Sequence, residues 1–149
     1  MIEDIVIKPL ERWADERGWL SEVWRNDEMD YQPVMAYVSK TESGISRGPH
    51  EHKDQSDGFI FAGPGNFDLY LWENREGKPG YRELFKLTVG EDNPVFVMVP
   101  PGVVHGYKCI SKAGAYSFNL PDRLYKGKGK QDEVDVIRWE QDPKSPFKI

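Results

Sequence analysis

The apolar residues of this chain fall into short runs rich in β-branched and aromatic side chains, and Gly, Pro or Asn bounds nearly every run. This pattern constrains the fold most strongly, because such side chains fit the pleated surface of a sheet whereas Gly, Pro and Asn favour turns. No stretch shows the apolar period of a convincing amphipathic helix, and no repeat or linker interrupts the pattern. Strands are predicted at residues 5–7, 19–24, 34–39, 59–62, 67–72, 81–89, 95–99, 115–119 and 134–139.

These strands predict an all-β barrel or sandwich of the double-sheet kind, in a single domain spanning residues 1–149. A chain of 149 residues buries enough surface to fold without a metal or a disulfide. Its single cysteine, Cys109, excludes an internal disulfide framework, and its apolar neighbours predict a small buried core residue.

The charge distribution excludes some classes of partner. A net charge of -5 argues against a nucleic-acid surface, which needs clustered Lys and Arg. Lys126, Lys128 and Lys130 form one basic run, but it is spaced by glycines and followed by acids, so it is predicted to be a solvated loop. No apolar run approaches the roughly 20 residues of a membrane span, and the acidic N-terminus does not look like a signal sequence, so the expected compartment is the cytoplasm.

The three histidines lie in two segments. His50 and His52 belong to residues 44–57, and His105 belongs to residues 100–106. An apolar strand run precedes or follows each segment, so two strand ends are predicted to meet at the mouth of a small barrel. The chemistry of the chain is expected there.

One hypothesis for these histidines is a metal site. Alternate residues of a strand share a face, so His50 and His52 can point the same way, while Asp57 and His105 complete a set of three histidines and one carboxylate. The spacing matches the two-motif pattern of metal-binding cupins, with Asp57 where that pattern has Glu. Such donors suit one divalent ion of Fe, Mn, Zn or Ni, and their type does not select among these.

A second hypothesis needs no metal. An imidazole can remove a proton from a carbon beside a carbonyl if a neighbouring group stabilises the enolate. His50 would be this base, and Arg47 would be its cationic partner or a clamp for a phosphate. In a third interpretation the histidines only satisfy polar positions at the barrel mouth.

Five segments stand out in order along the chain. They are Asp15-Glu16-Arg17-Gly18 with Glu22, Ile45-Ser46-Arg47-Gly48-Pro49-His50, Phe67-Asp68 with Arg75, Val99-Pro100-Pro101-Gly102-Val103-Val104-His105-Gly106-Tyr107, and Glu133 followed by Ile137-Arg138-Trp139-Glu140-Gln141-Asp142-Pro143. Together these segments resemble the motifs of the dTDP-4-dehydrorhamnose 3,5-epimerases and related sugar-nucleotide cupins.

The resemblance implies a cupin fold, that is, a double-stranded β-helix or jelly-roll barrel. It also implies a homodimer that acts without a metal on a 4-keto-hexose linked to a nucleoside diphosphate. His50 would then be the base, Arg47 would hold the substrate near its diphosphate, and His105 would line the sugar pocket. Arg17 and Glu22 would lie in the nucleotide site, reached within the chain or across the dimer.

Three departures from the family pattern affect the catalytic residues. Phe118 occupies the position of the proton-donating Tyr, so it would only line the substrate site, and Tyr116 or Tyr125 would have to give the proton. The usual active-site Lys is missing from the strand, and Lys53 lies nearby in the loop, so either Arg47 or Lys53 would stabilise the enolate. The chain also lacks the C-terminal Asp that orients the family's base.

Three functions therefore stay open at this point. The first is an epimerase or isomerase of a nucleotide-linked keto sugar, without a cofactor. The second is a metal-dependent cupin with His50, His52, Asp57 and His105 as ligands. The third is a sugar-nucleotide-binding cupin without catalysis.

Overall fold

The structure, a computed structural model, describes residues 2–149. The described residues form twelve β-strands and two single-turn 3-10 helices, Lys128–Lys130 and Trp139–Gln141. The strands are β1 Val6–Pro9, β2 Trp13–Asp15, β3 Gly18–Leu20, β4 Tyr37–Thr41, β5 Ser46–Glu51, β6 Asp57–Phe61, β7 Asn66–Glu73, β8 Leu84–Gly90, β9 Val95–Val99, β10 Val103–Cys109, β11 Ala115–Pro121 and β12 Ile137–Arg138.

Ten of these strands build two five-stranded sheets. The first sheet has the order β1-β9-β6-β11-β4, and the second has the order β12-β5-β10-β7-β8. Each pairing within the sheets is antiparallel. Strands β2 and β3 form a separate hairpin. The predicted all-β, double-sheet architecture is thus confirmed.

The core lies between the two sheets, because alternate residues of their strands point inward. Phe59 and Phe61 of β6 contact a cluster that includes Phe67, Leu69 and Leu71 of β7, all of them at most 2% exposed. Each such side chain stabilises the fold by about 1.5–3 kcal/mol when fully buried. Cys109 is also buried in this cluster, as the sequence predicted.

Two further segments cover the outer faces of the sheets. Val23, Trp24, Met29 and Tyr31 pack on the cluster that Ile60 and other residues form on the first sheet. On the second sheet, Phe147 of the C-terminal segment packs with Trp72 and Val104, and Trp139 lies against them.

The main differences from the predicted strands occur where tertiary contacts outweigh the strand preference of the local sequence. Residues 21–24 are not extended into a strand, because Trp24 turns onto the first sheet and donates its indole N–H to the carbonyl of Tyr31 (3.0 Å). Of the predicted strand at 134–139, only Ile137 and Arg138 pair with β5. Conversely, both histidine segments are themselves strands over much of their length, β5 and β10.

None of the helices in the described part of the chain has the length and apolar character of a membrane span.

Candidate active site

The structure brings the three histidines and Asp57 together between the two sheets. His50 in β5 lies directly opposite His105 in β10, and their ring centroids are 4.5 Å apart. His52 follows the last residue of β5, and Asp57 is the first residue of β6 in the first sheet. The potential ligand atoms of the four residues all lie within 4.8 Å of one another.

A bulge in β5 sets this arrangement. His105 pairs with His50 and Tyr107 pairs with Arg47, so three steps along β5 match two steps along β10. Arg47 and His50 therefore share one face, which a regular strand would not allow for residues three apart. The bulge depends on Gly48, which has φ 79° and whose Cα lies so close to β10 that a Cβ would be 2.7 Å from the His105 carbonyl oxygen.

Backbone carbonyls hold two of the histidine rings. Nδ1 of His105 lies 3.0 Å from the carbonyl oxygen of Val103, and Nδ1 of His52 contacts the carbonyl oxygen of Asp135. Because a carbonyl oxygen only accepts, each Nδ1 carries a proton and donates it. The opposite ring nitrogens face Asp57: its Oδ2 is 3.1 Å from Nε2 of His52 and 3.3 Å from Nε2 of His105.

These surroundings shift the pKa values of His50, His52 and Asp57 in different directions. Burial, followed by the nearby charges of His105 and His52, lowers the pKa of His50 to about 2, so its ring is neutral. Burial alone would raise the pKa of Asp57, but its contacts with His105 and His52 hold that pKa well below the ordinary range. Burial opposes protonation of His52, yet contact with Asp57 raises its pKa.

A cavity of about 880 Å³ opens beside this cluster, and His50, His52 and Asp57 are among the residues that line it. This volume is in the range of pockets that bind small molecules and cofactors. His105 is only 2% exposed and is not part of the lining. The sequence predicted that His105 lines the sugar pocket; in the structure it contacts Asp57 instead.

One wall of the cavity is a loop that we call the strap, residues 122–135. Both ends of the strap are hydrogen-bonded to residues 52–57. The Asp135 carboxylate accepts the backbone N–H groups of Lys53, Asp54 and Gln55 at 2.8–3.0 Å. At the other end, the Asp122 carboxylate accepts the N–H of Ser56 at 2.9 Å.

The strap carries cations into the cavity wall. Lys126 and Lys128 line the cavity, so the prediction that this basic run is simply a solvated loop is wrong for these two residues, while Lys130 is exposed and outside the lining. Within the described residues, no ion pair engages the cavity cations Arg47, Arg123, Lys126 and Lys128, whereas Arg138 pairs with Glu140. Arg47 donates to Thr41 Oγ1 (2.9 Å) and to the Lys40 carbonyl (2.8 Å), both of them uncharged acceptors.

The two residues proposed from β11 point away from this cavity. Tyr116 and Phe118 are 36% and 41% exposed. The alternate residues of the same strand, Ser117 and Asn119, are buried. Tyr116 and Phe118 therefore lie on the outer face of the first sheet, because successive side chains of a strand alternate between its faces. This is a correction to the sequence-based assignment of both residues to the site. Tyr125, on the strap, does line the cavity.

Tyr37 is a cavity residue that the sequence analysis missed. It lines the cavity from β4, in the sheet opposite His50, and its hydroxyl oxygen accepts the Asn119 amide N–H at 2.7 Å. Loss of water around the phenol, together with the charge of Asp57, raises the pKa of Tyr37 to about 12. The hydroxyl therefore keeps its proton at neutral pH.

Three other residues proposed for the site lie outside the cavity lining. Lys53 is exposed in the loop that follows His52, where the sequence analysis had placed it. Arg17, on the β2–β3 turn, pairs with Asp15, and Glu22 pairs with Arg25. Within one chain, these three side chains do not contribute to the cavity wall.

Comparison with known proteins identifies relatives along the whole chain. Residues 1–144 match the family model described as dTDP-4-dehydrorhamnose 3,5-epimerase. A protein described as a probable low-salt glycan biosynthesis epimerase, Agl13 of Haloferax volcanii, is 33% identical over 135 residues, covering 89% of this chain and 86% of that protein. The spore coat polysaccharide biosynthesis protein SpsL of Bacillus subtilis is 32% identical over 113 residues, covering 75% of this chain and 74% of SpsL.

Among solved structures, the dTDP sugar isomerase from Desulfovibrio desulfuricans G20 superposes with a TM-score of 0.84 at 23% identity. The match covers 99% of this chain and 91% of that protein. At this identity the likeness concerns the fold, and it confirms the predicted cupin barrel.

Proposed function

Because the chain belongs to the dTDP-4-dehydrorhamnose 3,5-epimerase family, we propose that its cavity enolises and reprotonates a 4-keto-hexose carried by a nucleoside diphosphate. The resemblance inferred from the sequence motifs is confirmed, and the chain is an enzyme of the epimerase and isomerase class that serves deoxysugar and polysaccharide biosynthesis. The observation that carries the proposed chemistry is the position of His50 in the wall of a large cavity, with Arg47 on the same face.

His50 is the base in this proposal. It takes the proton from a carbon beside the keto group, and the electrons of the broken C–H bond move onto the keto oxygen to give an enolate. The negative charge that develops on the enolate favours the imidazolium that forms beside it. Arg47 carries a charge without a carboxylate partner among the described residues and lines the same cavity, so it stabilises the enolate oxygen. Lys53, outside the cavity lining, is set aside for this role.

Tyr37 is the acid that returns a proton to the sugar carbon. His50 belongs to the second sheet and Tyr37 to the first, so the two side chains reach the cavity from different walls. A proton removed on one side and returned on the other inverts the carbon. The hydroxyl of Tyr37 accepts from Asn119, which leaves its own proton free to be donated. Tyr125 on the strap is the second candidate for this step.

The diphosphate is proposed to bind at the strap. Arg123, Lys126 and Lys128 supply positive charge along this wall, and hydrogen bonds from cations to phosphate are among the strong ones. The same wall also carries carboxylates: those of Asp122 and Asp135 accept backbone N–H groups, and Asp132 and Glu133 line the cavity beside the cations.

The homodimer expected from the resemblance remains part of the proposal. The β2–β3 hairpin exposes Trp13, Trp19 and Leu20 at 47%, 53% and 62%, which is typical of an interaction surface. Docked on a second copy, this hairpin would carry Arg17 and Glu22 toward the partner's nucleotide site. The cytoplasm, expected from the sequence, also stays a prediction.

Deuterium exchange tests the assignment of His50. In D2O, the enzyme is expected to exchange solvent deuterium into a dTDP-linked 4-keto-6-deoxy-hexose, and His50→Gln is expected to slow that exchange at least about 100-fold, as removal of a general base does. Retained binding of the nucleotide sugar, measured by calorimetry, shows that the variant is folded. Exchange at the wild-type rate in His50→Gln would contradict the assignment. Binding without exchange in the wild type would favour the non-catalytic alternative.

A further inference from the structure

Asn119 in the cavity wall has a buried acceptor without a donor. The residue is 5% exposed, and its Nδ2 donates to the hydroxyl oxygen of Tyr37 at 2.7 Å. Its carbonyl oxygen, Oδ1, is buried and has no hydrogen-bond partner among the described residues. A buried acceptor left unpaired is unfavourable, and such atoms are rare in folded proteins. Because Asn119 lines the cavity, a donor on a bound molecule can supply the missing hydrogen bond.

Gln55 presents a second carboxamide to the same cavity. Its Nε2 donates to Oδ1 of Asp57 at 2.9 Å and lies 3.4 Å from Nε2 of His52, so the amide nitrogen faces the buried cluster. Its backbone N–H is held by the Asp135 carboxylate at 3.0 Å. The carbonyl oxygen, Oε1, lies on the other side of the planar amide and has no partner among the described residues. Since Gln55 lines the cavity, Oε1 is an acceptor open to a ligand.

The two acceptors border the same side of the cavity. Asp57, which receives the Gln55 amide, pairs with Pro121 of β11, and Asn119 lies two residues before Pro121 on that strand. Alternate residues of a strand share a face, so Asn119 points to the inner side of the first sheet, opposite the second sheet. The carboxylates of Asp132 and Glu133 also line the cavity, but both residues are exposed, so water can satisfy them.

We propose that Asn119 and Gln55 bind the hydroxyl groups of the hexose and so determine which sugars the enzyme accepts. This inference rests on the proposed function and deepens it. A 4-keto-6-deoxy-hexose joined to a diphosphate at carbon 1 has two hydroxyl groups, on carbons 2 and 3. Two carbonyl oxygens whose amide nitrogens are already engaged match these two donors. The cavity therefore selects sugars that keep both hydroxyls over sugars that are deoxygenated or O-methylated at either position.

Binding of dTDP-glucose tests this selection without any turnover. This nucleotide sugar has hydroxyls on carbons 2 and 3 and no keto group to enolise, and its 2-deoxy and 3-deoxy analogues each lack one donor. By calorimetry, each analogue is expected to bind the wild type about 10-fold more weakly, because an acceptor is left unpaired. Asn119→Leu and Gln55→Met keep the side-chain shape and remove the acceptor. In each variant, the penalty for one of the two missing hydroxyls should fall to about twofold or less.

Tyr37→Phe is the matched control, because it removes the hydroxyl that accepts the Asn119 N–H and keeps the ring. It is expected to discriminate against the deoxy analogues as the wild type does. Loss of discrimination in Tyr37→Phe equal to that in Asn119→Leu would overturn the assignment of Asn119, because Asn119 would then act only by holding Tyr37.

The outcomes separate this inference from the proposed function. Equal affinity of the wild type for dTDP-glucose and both deoxy analogues would overturn the hydroxyl selection, whatever the result of the deuterium exchange. Discrimination by the wild type that is lost in the variants would support the two acceptors, even if no carbon exchanged deuterium. If Asn119→Leu fails to fold, Gln55→Met and the wild-type series still decide.

Discussion

The alternation of side chains along strands decides which tyrosine can reach the substrate. On β11, Ser117 and Asn119 point inward, and Tyr116 is left on the outer face. On β4, which pairs with β11, Tyr37 lies opposite Asn119 and therefore shares its inward face. The phenol thus reaches the cavity from the neighbouring strand, on the same face from which Asn119 donates to it.

Tyr37→Phe is expected to lower the rate of epimerisation about 100-fold or more, because it removes the proposed general acid and leaves the ring in place. The affinity for the nucleotide sugar should change little. Tyr116→Phe is the matched comparison on the outer face and is expected to have no comparable effect. Steady-state kinetics of the two variants check this prediction, and a larger loss in Tyr116→Phe than in Tyr37→Phe would contradict it. A loss confined to Tyr125→Phe would assign the acid to the strap instead.

At the scale of elements, the bulged strand β5 and the strap together build the site. The bulge turns Arg47 and His50 to one face, and the strap forms a further wall of the cavity, held by hydrogen bonds to residues 52–57. Each element can be perturbed separately, since Gly48 controls the bulge and the lysines of the strap are exposed.

Gly48→Ala is expected to lower the free energy of unfolding by about 2–4 kcal/mol, from left-handed strain combined with a Cβ contact to β10. Gly44→Ala is the control: Gly44 has a similar φ of 74° but nothing within 4 Å of its Cβ position. Strain alone should cost about 1–2 kcal/mol there. Urea denaturation measures both values. Equal losses for the two variants would mean that the close approach of β5 and β10 contributes nothing.

Lys128→Ala is expected to raise KM about fivefold with kcat nearly unchanged, because an exposed cation contributes about 1 kcal/mol to holding a phosphate. Lys130→Ala, in the same glycine-spaced run but outside the cavity lining, is expected to leave KM unaltered. Higher salt should reduce the difference between the two variants by screening. Equal KM values for both variants would show that the strap does not bind the diphosphate.

Local sequence pattern was sufficient for the architecture and for part of the site. Most strands of the two sheets follow from short apolar runs, although β5 and β10 do not, and the meeting of His50, His52, Asp57 and His105 follows from residue spacing. Tyr37 and the strap could not be predicted in this way. The inward face of β4 is fixed by its pairing with β11, and the strap is held by Asp135 contacts that span 80–82 residues. Such long-range contacts leave no local signal.

At the scale of the whole molecule, the exposed apolar hairpin β2–β3 bears on the assembly. A stable dimer would have twice the chain mass of 17.2 kDa. Trp19→Asp places a charge in this exposed apolar surface, so it is expected to shift the protein toward the monomer. Light scattering after size-exclusion chromatography measures the mass directly. A wild-type protein that elutes at the mass of one chain would contradict the dimer, and with it the role of Arg17 and Glu22 across an interface.

Formation of an enolate from a nucleotide-linked keto sugar is the central step proposed for the cavity. The most direct measurement is the mass and NMR spectrum of a dTDP-linked 4-keto-6-deoxy-hexose recovered after incubation with the wild-type enzyme in D2O, against a sample without enzyme. We expect one added mass unit for each exchanged carbon, with deuterium at a position beside the keto group. A nucleotide sugar that binds the protein but is recovered with no added deuterium would contradict it.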